Sequence, residues 1–173
     1  MKIQSIFQAL TTGMITLGVF SAVSPSTVAQ AQPKKTYFCS QSKNGNWTTF
    51  ARNYNNRRIP VIHWVKKLGG YTPKTRCEVI SPKFESAYKS GILNYLTSGV
   101  HRGQPVICAT SQHGGPCSQI LFTLKSHREA SSVLQQLINV GYRAGDGGVF
   151  QSGNSSGVYI DMQRLLRAES RKK

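Results

Sequence analysis

Between residues 36 and 70 the apolar positions come in short runs separated by turn residues, which is the pattern of strands. Tyr37-Phe38-Cys39 is the first run. Asn44-Gly45-Asn46 supplies turn chemistry, and Trp47 to Ala51 forms the second run. Asn53 to Arg58 is polar and reads as a loop. Pro60 to Val65 is a third strand, closed by Gly69-Gly70.

The period then changes. Cys77, Ile80, Phe84, Ala87 and Tyr88 fall at i, i+3, i+7, i+10 and i+11, one face of a helix. Thr72 suits its cap and Pro73 its first position. Pro82 lies inside the run. The unbroken apolar face favours a kink there over a fresh start at Ser81-Pro82. Gly91 ends the segment. Leu93 to Thr97 and Gln104 to Ala109 follow as strands, joined across residues 98–103 as a hairpin, and Ile120 to Leu124 is another strand.

A second helix begins at an S-x-x-E capping box, Ser126 and Glu129. Ala130, Val133, Leu134, Leu137 and Ile138 give its apolar face, and Gly141 its end. Gly145 to Gly157 reads as a mobile Gly/Ser/Asn-rich loop. Tyr159 to Arg167 predicts a short final helix with Ile160, Met162, Leu165 and Leu166 inward, before a basic tail, Arg171-Lys172-Lys173. Short joins favour antiparallel neighbours. The expected fold is α+β: a single antiparallel sheet of about five to six strands, covered on one side by two or three helices.

The first 31 residues do not fit this domain. Lys2 precedes an apolar stretch from Ile6 to Val23, diluted by Gln8, Thr11, Thr12 and Ser21, and Ala29-Gln30-Ala31 is a small-x-small cleavage pattern. This predicts a signal peptide over residues 1–31 and a mature domain over residues 32–173, beginning at Gln32. No clean apolar stretch approaches the roughly 18 residues of a membrane span, which excludes a polytopic membrane protein.

An exported chain meets an oxidising compartment. Its four cysteines, Cys39, Cys77, Cys108 and Cys117, then read as two disulfides, with three pairings open. Cys108–Cys117 is favoured because it flanks a turn-forming His113-Gly114-Gly115-Pro116. Cys39–Cys77 would then staple the first strand to the first helix. There is no C-x-x-C and the four histidines are scattered, so no metal or other cofactor is expected.

Charge changes the picture most. Lys and Arg number 22 against 6 Asp and Glu, a net charge of +16. Removing Lys2 with the signal would take away only one of those cations. Such a field exceeds what solubility needs and attracts polyanions. Two groups of cations are candidates for binding an anionic surface: Arg52, Arg57, Arg58, Lys66 and Lys67, and the C-terminal Arg164, Arg167, Arg171, Lys172 and Lys173. Nucleic acid is not an expected partner of an exported chain, and no nucleic-acid fold signature is present. The partner expected is an anionic membrane surface or an envelope polymer.

Catalytic chemistry is thinly represented. His63, His101, His113 and His127 supply the residue types of a small secreted ribonuclease, but no spacing that requires a site. Glu78 and Glu85 share a helix side; pairing with Lys74 and Lys89 explains them better than a glycosidase pair. P-loop, dinucleotide and zincin motifs are absent.

Several segments in order carry a family likeness. They are Phe38-Cys39, Ile62-His63-Trp64, Arg76-Cys77 with Ile80-Ser81 and Phe84, and Leu93-x-Tyr95-Leu96-Thr97-x-Gly99. Gly103-Gln104-Pro105-Val106-Ile107-Cys108-Ala109, Cys117-x-x-x-Leu121-Phe122-Thr123-Leu124 and Tyr159-Ile160-Asp161 before Leu165-Leu166 complete the set. With the four cysteines, these make the chain resemble the cyanobacterial circadian oscillating protein family, over about residues 37 to 166. The resemblance implies a small exported, membrane-associated protein whose abundance follows the day–night cycle. It implies no catalytic activity or cofactor. The expectation is therefore a non-catalytic exported protein held peripherally at a membrane or other acidic surface; the alternative is a small basic secreted hydrolase of ribonuclease type.

Overall fold

The computed structural model describes residues 34–142 and 157–168. The expected signal segment, most of the Gly145 to Gly157 loop and the tail Arg171 to Lys173 lie outside these residues. The described chain runs β1 (Tyr37–Gln41), β2 (Trp47–Arg52), β3 (Arg58–Trp64), α1 (Pro73–Lys89), β4 (Tyr95–His101), β5 (Gln104–Thr110), β6 (Gln119–Thr123), α2 (His127–Tyr142), β7 (Ile160–Asp161) and α3 (Met162–Ala168).

The class is α+β as expected, but the single sheet is not. Strands β1-β2-β3 form one antiparallel sheet and β6-β5-β4-β7 a second. Hairpin joins predict which consecutive strands pair. They say nothing about pairing across a helix, and here α1 separates β3 from β4. One apolar core nevertheless takes residues from both sheets and all three helices. Trp64 of the first sheet meets Phe122 of the second edge-on, with ring centroids 5.4 Å apart.

The hairpin between β4 and β5 is tighter than expected. Strand β4 continues to His101, which pairs with Gln104, so only Arg102 and Gly103 turn the chain. Both have positive φ, 49° and 76°, as a type I′ turn demands, and its twist matches that of the strands. Arg102 tolerates this although it carries a Cβ.

Helix α1 begins and ends as its sequence predicts. The Thr72 hydroxyl accepts the Thr75 amide, and Pro73 sits at the start, where no N–H partner is needed. At the other end the Ile92 amide bonds to the Ala87 carbonyl and the Gly91 amide to that of Tyr88, a Schellman cap with Gly91 at φ 68°. The helix runs unbroken through Pro82, so Ser81-Pro82 does not restart it. Cys77, Ile80, Phe84 and Ala87 form its buried face, while Tyr88 stays half exposed.

Helix α2 is capped by the expected pair. The Ser126 hydroxyl accepts the Glu129 amide, and the Glu129 carboxylate reaches back to the Lys125 amide, one residue beyond the expected Ser126. Ala130 and Leu134 are buried and Val133 packs against the core. Leu137 and Ile138 lie outside the described side chains, and the helix includes Gly141 instead of stopping before it. The expected final helix starts later, at Met162, because Ile160 and Asp161 pair with β4 as β7. Met162, Leu165 and Leu166 are buried as expected.

Both favoured disulfides are formed, Cys39–Cys77 and Cys108–Cys117. The first ties β1 to α1; the second closes the Gly-rich loop after β5. That loop is crowded: a Cβ at Gly115 would lie 2.7 Å from the Thr110 hydroxyl. Two disulfides fit an extracytoplasmic chain.

Glu85 pairs with Lys89 at 3.3 Å as expected, and its carboxylate is in addition buried and accepts the backbone amide of Tyr37 at 2.7 Å. It thereby satisfies an amide of edge strand β1. The Tyr37 ring above it packs on Phe84 and Tyr88. Burial, then the neighbouring Tyr88 and Glu85, push the Tyr37 phenol far above its ordinary value of 10.0. In alkali the unfolded chain releases this proton near pH 10 while the folded chain keeps it. The folded state then binds more protons, so the contribution is complete below about pH 10 and is lost as pH rises toward the native value. Denaturant midpoints measured from pH 9 to pH 12 should fall for the natural protein and fall less steeply for Tyr37→Phe; equal slopes would refute this origin.

Candidate functional site

The outer face of the first sheet, turned away from α1, carries the most organised group of cations. Strand alternation sorts the side chains. Cys39 and Thr49 point to α1, where Cys39 is bonded to Cys77 and the Thr49 hydroxyl meets that of Ser81 at 2.8 Å. Phe38 and Phe50 are opposed across β1 and β2 on the other face, stacked with centroids 5.9 Å apart.

The turn between β2 and β3 brings Arg52 and Arg58 onto those rings. Buried Asn53 organises it: its side-chain oxygen accepts the amides of Asn55 and Arg57, and its own amide donates to the Arg57 carbonyl. Asn56 takes the left-handed conformation, φ 59°, which asparagine tolerates. Arg52 and Arg58 are thereby direct cross-strand partners.

Like charges placed opposite each other destabilise a sheet. Here each guanidinium lies against an aromatic ring: Arg52 is 4.3 Å from the centre of Phe38, and Arg58 is 4.4 Å from that of Phe50. Each such contact contributes roughly 0.5–1 kcal/mol at an exposed site. Arg52 donates to the Lys35 carbonyl and Arg58 to that of Gln41, which fixes their orientation further. Neither has a carboxylate partner among the described residues. The result is two oriented, unneutralised forks side by side, a geometry suited to phosphate or carboxylate oxygens.

The other candidate cations divide around this face. Arg57 is exposed in the same turn. Lys66 and Lys67 are exposed beyond the opposite end of β3, roughly 20 Å away at the rise of a strand. On α3, Arg164 is half buried, and exposed Arg167 donates to Gln163. A cleft of about 380 Å³ is lined by Arg52, Asn53 and Asn56 on one side and by Met162, Gln163 and Leu166 on the other. The C-terminal helix therefore adjoins Arg52, while Lys66 and Lys67 belong elsewhere. Sequence clustering found the arginines and missed Phe38 and Phe50. The signal for them was the hairpin register: a turn at 44–46 opposes the two rings.

The histidines are not gathered. His63 is exposed and shares a hydrogen bond with Thr48 at 2.8 Å. His113 packs between Tyr95 and Tyr159. His101 and His127 are exposed at the ends of β4 and α2. Neither the cleft above nor a larger groove beside α1 is lined by a histidine. Glu78 pairs with Lys74 on the helix surface. Among the described residues no cluster of His, Cys, Asp or Glu could hold a metal ion, and no helix is long and apolar enough to cross a membrane.

A family model described as circadian oscillating protein COP23 matches residues 36–167, nearly all of the described chain. No curated protein and no solved structure matches.

Proposed function

The chain belongs to the circadian oscillating protein COP23 family, and from that premise we propose that it is an exported, non-catalytic protein that attaches peripherally to an anionic membrane surface through the Arg52–Arg58 face. The observation that carries this reading is the cross-strand arginine pair, stacked on Phe38 and Phe50 without a carboxylate partner among the described residues. Arg57, exposed in the same turn, adds a third cation. Export is supported by the signal-like first 31 residues and by the two disulfides. Scattered histidines argue against the ribonuclease alternative.

Each Lys or Arg near an anionic surface contributes about 1 kcal/mol, screened over about 10 Å at 0.1 M salt. Replacing Arg52 and Arg58 by glutamine should therefore weaken binding to anionic vesicles about 30-fold, and high salt should release the natural protein without detergent. Co-sedimentation with anionic and with neutral vesicles measures both. Equal binding to the two vesicle types, or binding that survives high salt, overturns the reading. Loss on removing residues 170–173, with the glutamine variant unaffected, would move the contact to the C-terminal tail.

A further inference from the structure

Among the described residues strand β6 pairs only with β5 and has no strand on its other edge, and a groove of about 710 Å³ runs beside it. Every residue from Ile120 to Lys125 lines this groove. Strand side chains alternate between faces, so a groove touching one face would meet every second residue. The unbroken run follows the strand's edge, and at Leu124 and Lys125 the groove turns around the strand's end to Gly103, Gln104 and Pro105 at the start of β5. The opposite wall is α1, through Arg76, Val79, Ile80 and Lys83, and the turn around Leu68 and Tyr71 forms a shoulder. Near Gln119 the two walls meet, where its side chain donates to the Lys83 carbonyl.

Two properties define what fits. Val79 and Tyr71 are 50% and 56% exposed, so apolar surface awaits cover. The charged groups of the lining, Arg76, Lys83 and Lys125, are all cationic. Arg76 is held by its 4.6 Å approach to the Trp64 ring and by a bond to the Lys66 carbonyl.

We propose that this groove is a docking site for an extended acidic peptide segment of another protein, which adds as a strand to the free edge of β6. Edge N–H and C=O groups give it backbone partners, Val79 and Phe122 receive its apolar side chains, and Lys83, Lys125 and Arg76 pair with its carboxylates. An acyl chain laid in the same place would desolvate the edge groups without bonding them. A second copy of this chain, net charge +16, would bring cations against cations. The acidic strand alone satisfies both the edge and the charge.

The probe is a blocked peptide of alternating glutamate and valine, followed by fluorescence anisotropy and by hydrogen exchange of residues 119–125. Two control peptides accompany it: one with alternate backbone nitrogens methylated, and one with lysine in place of glutamate. Binding of the first peptide alone, with slowed exchange at 119–125, is expected. Lys83→Glu with Lys125→Glu should weaken it about tenfold, while Arg52→Gln with Arg58→Gln should leave it unchanged. Equal binding of the methylated peptide would reduce the effect to unspecific charge attraction and overturn the proposal. So would absence of binding, slowed exchange around residues 52–58 instead, or displacement of the peptide by a fluorescent polyene fatty acid.

Discussion

Replacing Cys39 and Cys77 together by alanine should lower stability by roughly 4 kcal/mol. The pair closes a separation of 38 residues that runs from the middle of β1 through β2 and β3 into the first turns of α1. Loop-closure entropy removed from the unfolded chain rises with that length and reaches this order for about 40 residues. Cys77 is also fully buried beneath the sheet, so its sulfur contributes packing as well as a link. The Cys108–Cys117 bond closes only 9 residues and should contribute less, roughly 3 kcal/mol or below. Chemical denaturation of the two double variants checks the order. A Cys108/Cys117 variant less stable than the Cys39/Cys77 variant would show that local strain, and not chain entropy, governs the loss.

Phe84→Ala should destabilise the fold by about 3–5 kcal/mol. Phe84 is fully buried, and its ring lies 5.8 Å from that of Tyr37. It lies on the buried face of α1, between Cys77 with Ile80 and Ala87. Removing the ring leaves a void between α1 and β1, in a region already pinned by the Cys39–Cys77 bond and by the Glu85 contact to the Tyr37 amide. These links restrict collapse around the void, so the loss should fall toward the upper part of that range. Val79→Ala on the exposed side of the same helix is the control and should change stability by under about 1 kcal/mol. A similar loss from both would mean that helix propensity, not burial, sets the effect.

Local signals decided most elements. The Thr72-Pro73 start and Gly91 end of α1, the capping box of α2, the turn at 44–46 and the Cys108–Cys117 pairing were legible because each depends on neighbouring residues or on a short loop that must turn back; Cys39–Cys77 followed only as the remaining pair. The i, i+3, i+7 spacing named Cys77, Ile80 and Phe84 as one face for the same reason. The hairpin turn at Arg102-Gly103 escaped notice because Ser98 to His101 carries little apolar patterning, yet backbone pairing with β5 holds it as strand. The Glu85–Lys89 pair was legible from its i, i+4 spacing, but the burial of Glu85 was not: it follows from where β1 docks, which helix periodicity does not contain.

By itself, then, the sequence determined the α+β class, both ends of α1, the start of α2, the favoured disulfide pairing and the excess of positive charge, set by local geometry or by composition. Only the tertiary structure decided that the strands divide into two sheets around one core. It also decided that Arg52 and Arg58 share a platform with Phe38 and Phe50, that α3 adjoins Arg52, and that Lys66 and Lys67 fall elsewhere. Those outcomes depend on which strand edges pair and how the helices cover them. Such contacts join residues far apart in the chain, and their free energy comes from burial and register that no local window contains.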